Sequence, residues 1–298
     1  MTNFLGLAET VLRDGFIYGL MAMGVYVTYK ILDFPDLSVD GTFPLGACVT
    51  AALINLGLNP WLACLAALLA GAAAGSITGL LHVKLHITDL LSGILIMTAM
   101  WSVNLIITGK AAILQFFNKP TIFTYGPMKL LPAGIYQHRH LLVAFLLALV
   151  VKLLLDWFLS TKRGLLLRGT GDNNQYVISL GKDPGTIKIF GLALGNALTA
   201  LAGSVLAQYG ENADVNSGKG MVVMALASVI IGTSVFRRVS FLKATTMTVL
   251  GAVLYKACLQ IALQMGLSPH YLKLLMAILL TVALLSQRLG KKGEKVNV

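Results

Sequence analysis

Apolar stretches of membrane-spanning length recur along this chain, and that pattern excludes most of the folds open to 298 residues. A bilayer core takes about 20 predominantly apolar residues per helix, because each residue advances the helix by about 1.5 Å. Applied loosely, this places spans at about residues 15–32, 43–57, 61–81, 90–108, 141–159, 187–209, 221–236, 241–264 and 271–287. The second and seventh are short, and are expected to be broken or tilted. Composition points the same way: 57% of the residues are hydrophobic and 12% charged, against roughly 45–50% and about 25% in soluble domains. No polar segment is long enough to bury a core of its own. The expectation is an all-α polytopic membrane protein of about nine (eight to ten) transmembrane helices, with residues 1–298 as one transmembrane domain.

The formal charge of +11 does not mark a nucleic-acid binder, because the basic residues sit in loops between apolar spans, where they set orientation and meet lipid headgroups. The basic tail, residues 287–298, carries Arg288, Lys291, Lys292 and Lys295 and is placed in the cytoplasm. Counting back, Arg237, Arg238 and Lys243 fall inside, as do Lys162, Arg163, Arg168 and Lys182, and Lys84; the N-terminus falls outside. One segment resists. Gly109–His140 would be external, yet it holds Lys110, Lys119, Lys129 and Arg139 and no acidic residue. Glu9, Arg13 and Asp14 precede the first apolar run and no cleavage site follows it, so the first span is expected to be retained. Cys48, Cys64 and Cys258 lie within apolar segments without metal-ligand or disulfide spacing and read as small core residues.

Two polar, Gly-interrupted segments join spans: "DFPDLSVDGTFPLG", Asp33–Gly46, and "YGENADVNSGKG", Tyr209–Gly220. Such breaks in two halves of a chain are a pointer to a transport path; solvated turns are the competing reading. The long loop Ser160–Phe190 offers Asp172 and Asn173 as N-caps and Gly181 as a C-terminal cap, with Pro184 beyond. Between them a helix of about two turns, Asn174–Leu180, is expected to expose Tyr176, Val177 and Ile178. Lys152 and Asp156, at i,i+4 in the fifth span, read as a self-neutralising pair near an interface. His82 and His86 share that spacing without an evident third ligand other than Asp89, so no metal site is assigned. Gly71, Gly75 and Gly79 form a packing seam, within one subunit or between two. There is no phosphate-binding Gly-Lys-Ser/Thr loop and no nucleophile–base signature, so the chain is expected to be no enzyme and to need no cofactor.

Beyond these readings, Thr161–Gly232 resembles the permeases of type II ABC importers, the group serving branched-chain amino acids, sugars and cobalamin. The carriers are the loop "LRGTGDNNQYVISLG" and the following span "FGLALGNALTALAGSVLAQ". Phe34–Ala47 matches an "LPDLSVDGSF-LGA"-like run and Ala213–Gly232 an "ADV-MG-GM-V-GLASVIIG"-like run of the tryptophan/tyrosine subgroup. Two departures stand out. Gly210, Glu211 and Asn212 replace a Gln-Gly-Phe-like approach, and Ser217 and Lys219 stand where Met and Ile are common.

The resemblance implies two pseudo-repeated halves and a translocation path between two permease copies, a homodimer in the bacterial cytoplasmic membrane. It also implies a cytosolic ATPase subunit below and an extracytoplasmic binding protein above. Asp36, Ser38, Asp40, Gly41, Asn212, Asp214 and Asn216 are the path candidates, with capping of the second span as the alternative role for Asp40. Asp172, Asn173, Asn174, Gln175, Tyr176, Val177, Ile178 and Gly181 are the ATPase-coupling candidates within the cytoplasmic loop 160–186. The expected cargo is an amino acid, aromatic ones favoured. Alternatives are a secondary transporter that couples an ion through Asp36, Asp40 or Asp214, and a membrane scaffold.

Overall fold

The computed structural model describes residues 2–126, 136–237, 239, 241–268 and 271–295, without the side chains of 2–5, 273 and 286–295. Lys129, Arg238 and the side chains of Arg288, Lys291, Lys292 and Lys295 therefore lie outside the described residues. Each apolar stretch forms a helix: α1 (Thr2–Val25), α2 (Val39–Asn55), α3 (Pro60–Lys84), α4 (Asp89–Ile107), α5 (Arg139–Ser160), α8 (Pro184–Gly210), α9 (Met221–Val235), α10 (Ala244–Gln264) and α11 (Leu272–Lys295). Five of these, α3, α4, α5, α8 and α10, are long and apolar enough to cross a membrane on length and composition. The short second and seventh spans remain short, at 17 and 15 residues.

Helix α8 is the spine, with α1, α2 and α3 all packed against it. The reason is its small residues. A Cβ on Gly203 would collide with the Phe43 carbonyl, and one on Gly46 of α2 with the Ala200 carbonyl, so the two backbones touch. The Gly71–Gly75–Gly79 seam of α3 meets this same helix: added Cβ atoms would lie 2.5 Å from Ala200 Cβ, 2.8 Å from Asn196 Cβ and 2.7 Å from Ile189 Cα, respectively. The seam is thus packing within one chain. On the other flank α1 contacts α10 and α5, and α9 packs on α10 and α11.

Two features went unforeseen in the sequence. The loop after α5 is itself largely helical, with α6 (Lys162–Asp172) preceding α7 (Asn174–Ser179). Thr161 starts α6 by accepting the Gly164 amide, a side-chain cap that apolar periodicity does not reveal. At the opposite face, β1 (Ile113–Gln115) pairs antiparallel with β2 (Asn212–Asp214). Cys258 is exposed on α10, so the core reading holds only for Cys48 and Cys64. His82 Nδ1 is 2.9 Å from the Ile87 carbonyl, and among the described residues no three His, Cys, Asp or Glu side chains converge.

Candidate translocation site and docking helix

Helix α1 loosens at its end into a π-helical turn, Tyr26–Ile31, and Asp33 then turns the chain with φ at 52°. The next polar residues do not face solvent. Asp36 is 4% exposed, and its two carboxylate oxygens accept from the Ser38 amide (2.8 Å) and from Asn196 Nδ2 (2.7 Å). Asn196 Oδ1 in turn accepts from Ser38 Oγ at 3.1 Å and Thr42 Oγ1 at 2.7 Å. A buried carboxylate is tolerated here because donors surround both oxygens and the start of α2 adds its dipole. Asp36 and Ser38 are thus interior packing groups tied to α8.

Asp40, in the first turn of α2, is half-buried and reaches across to another helix. Its carboxylate accepts from the Gly220 amide (3.0 Å) and the Val222 amide (2.8 Å), capping α9. The foreseen capping of the second span is corrected: the helix that Asp40 caps is α9 and not its own. Sequence distance hides this, since 180 residues separate the partners. Gly41 allows close approach: a Cβ there would lie 2.9 Å from Met100 Cβ and 3.0 Å from Met97 Cα of α4.

This contact lies deep. From Asp40, α2 runs toward the strand pair, where Asn55 Nδ2 donates to the Gln115 carbonyl. From Gly220, α9 runs the other way, toward the face holding α6 and α7. At about 1.5 Å per residue the two helices reach roughly 25 and 22 Å in opposite directions. The Asp33–Gly46 break is enclosed by protein, with Phe34 against His82, Leu37 against Gly93 and Asp36 bonded to Asn196.

The remaining path candidates lie apart from Asp36. Asn212 is exposed in β2 with its side chain on the Gly210 carbonyl (2.7 Å), and Asp214 accepts the Asn216 amide at 2.8 Å in a local turn. Two small cavities flank the descending 214–219 segment. One, of about 130 Å³, is lined by Phe43, Asn212, Asp214 and Ser217. The other, of about 190 Å³, is lined by Asp40, Gly41, Met97, Trp101, Asn104 and Lys219. Asn196 and Asn104, both fully buried, went unassigned at the sequence level. A lone Asn inside a Gly/Ala/Leu-rich span was the available signal for each.

On the α6–α7 face, Asn173 caps α7 by accepting the Gln175 amide at 3.0 Å and the Tyr176 amide at 3.4 Å, and Gly181 ends it with φ at 69°. Asp172, Asn174 and Gln175 are exposed. Tyr176 and Ile178 are 59% and 58% exposed, whereas Val177 is fully buried. The expectation of an exposed Val177 is corrected for a simple reason. Successive helical side chains point about 100° apart, and this one turns back on α6, beside Gly169. Asp183 then caps α8, its carboxylate accepting from Thr186 Oγ1 (2.6 Å) and the Gly185 and Thr186 amides. Those donors hold its carboxyl below the usual carboxylate range.

The Lys152–Asp156 pair is made, at 2.9 Å, and extended by Lys243 at 3.5 Å and by the Thr245 hydroxyl. It braces α5 to α10 at the wall of a cavity of about 750 Å³ that also includes Tyr26, Lys30, Arg168 and Asp172.

Residues 7–285 match the family described as "Branched-chain amino acid transport system / permease component". Over 97% of the chain it is 41% identical to the "Tyrosine transport system permease protein" of Clostridioides difficile (strain R20291), covering 94% of that protein. It is 34% identical to "Uncharacterized protein RP368" of Rickettsia prowazekii (strain Madrid E), covering 93% of this chain and 96% of that one. In fold, 93% of the chain superposes on 89% of a chain of "PsaBC from Streptococcus pneumoniae in complex with Fab", with a TM-score of 0.52 at 12% identity. The chain belongs to the permease-component family of branched-chain amino acid transport systems. It is a multi-pass membrane protein and a transport subunit, not itself an enzyme.

Proposed function

We propose that this chain is the permease of an ATP-driven importer for an amino acid, working as a homodimer in the bacterial cytoplasmic membrane. One transmembrane domain, residues 1–298, would cross the bilayer with about nine helices, α6, α7 and the C-terminal tail inside and the strand pair and N-terminus outside. A cytosolic ATPase subunit docks on α7, and an extracytoplasmic binding protein delivers the solute at the strand pair. The cargo would be aromatic, in line with the tyrosine system to which the chain is 41% identical.

The observation that carries the reading is α7. It is only six residues long, capped at its start by Asn173, anchored by Val177, and left with two large apolar side chains in solvent. A helix so short does not persist alone, and exposed Tyr176 and Ile178 fit a groove in a partner. Docked there, α7 and α6 would pass ATPase closure to α8 as a rigid-body motion. Replacing both Tyr176 and Ile178 by Asp is expected to cut co-purification of the ATPase subunit at least tenfold while the permease stays folded. Wild-type recovery of the complex would sink the docking assignment. At the other face, Lys110 and Lys119 on the described part of the 109–140 segment favour an acidic docking surface on the binding protein. Its affinity for the permease should fall severalfold between about 0.01 and 0.15 M salt, as the Debye length shortens from roughly 30 to 8 Å. A salt-independent affinity would remove that part of the reading.

A further inference from the structure

Packing and capping leave Lys219 of the candidate site unexplained. It is exposed in the single chain, one residue before the Gly220 amide that Asp40 caps. Four residues earlier the Val215 amide still donates to the Ala112 carbonyl beside the strand pair, so Lys219 lies within about 14 Å of chain of that face. No acidic oxygen forms an ion pair with it among the described residues. What it does line is a cavity shared with Asp40 and Asn104.

The cavity it lines has three kinds of wall. Met97, Trp101 and Pro44 are apolar; Asp40 is anionic; Asn104 is fully buried, donates Nδ2 to the Gly41 carbonyl at 3.3 Å, and has an Oδ1 without a partner. That orphaned acceptor in the interior wants a donor. At about 190 Å³, the space lies below the roughly 300–1,000 Å³ of drug-sized sites and suits one small solute.

We infer that this cavity between α2, α4 and the 215–219 segment is a binding site for a free α-amino acid, with Lys219 as the counter-charge to its carboxylate. The ammonium is received by Asp40 and Asn104 Oδ1, and the side chain lies against Met97 and Trp101. The inference rests on the importer reading above and sharpens it to a recognising residue. It also gives the departure from the Ile common at this position a chemical meaning: a fixed cation for a carboxylate-bearing cargo.

The test uses the full chain reconstituted with its ATPase subunit and binding protein in ATP-loaded proteoliposomes, with tritiated L-tyrosine as probe. Lys219→Ile is expected to lower the initial uptake rate at least tenfold, while Lys219→Arg stays within threefold of wild type. A second measurement uses the permease alone in nanodiscs. Millimolar L-tyrosine should raise its melting temperature more than tyramine, which lacks the carboxylate, and Lys219→Ile should erase that difference. Wild-type uptake by Lys219→Ile, or equal shifts by the two ligands in the wild-type chain, would overturn the assignment and leave the importer reading standing. Wild-type liposomes that take up no amino acid would overturn both.

Discussion

Replacing Gly46 by Val should leave little folded protein. A Cβ at that position falls within the Ala200 carbonyl, and the reciprocal site, Gly203, meets the Phe43 carbonyl. No rotamer change relieves a clash with main chain, so α2 and α8 would have to part along their whole contact. Overpacking a core usually costs about 1–3 kcal/mol, and backbone against backbone belongs at the top of that range or above it. Against a total stability of about 5–15 kcal/mol, the expected result is a large drop in melting temperature or loss of monodisperse protein in detergent. Gly6→Ala, where a Cβ meets nothing within 4 Å, serves as the control. A Gly46→Val protein melting with the wild type would show that the α2–α8 contact is wrongly placed.

The second large effect is chemical rather than steric. Asp36 works because both its oxygens are acceptors facing two donors, the Ser38 amide and Asn196 Nδ2. Asp36→Asn keeps the shape but turns one acceptor into a donor, leaving a buried N–H against an N–H, at a cost of about 1–3 kcal/mol. Asn196→Asp alone should be worse, since it sets two carboxylates together in the interior. Combined, the two changes restore donor to acceptor across the pair, though Asn196→Asp still forfeits the Nδ2 bond to the Leu192 carbonyl (3.1 Å), so the double variant is expected to melt above Asn196→Asp alone and short of the wild type. Purely additive losses in thermal melts would refute the pairing.

Much of this architecture was legible in the residues. Apolar length located every long helix, and Asn173, Gly181 and Pro184 framed α7 to within a residue, because caps act through their immediate neighbours. What failed to show were relations across the chain. Asp40 announced itself as a cap, yet its helix begins at Met221. Val177 looked as available as Tyr176, because only the position of α6 decides which side of α7 is covered. Asn196 went unassigned in its small-residue span, because its partners come from the break before α2. Local chemistry travels a few residues along a sequence; choice of partner depends on how α8 packs.

The strand pair carries an implication for how such chains diverge. Ile113 faces Asp214, Leu114 faces Ala213 and Gln115 faces Asn212, and the ladder itself is made by main-chain atoms. Side chains there are consequently exchangeable without loosening the link between the rim of the molecule and the descending 214–219 segment. Of the residues read as departures from the family pattern, Asn212 lies in this ladder, opposite Gln115. If a binding protein docks at this rim as proposed, substitution there would retune the contact without disturbing the main-chain ladder beneath it.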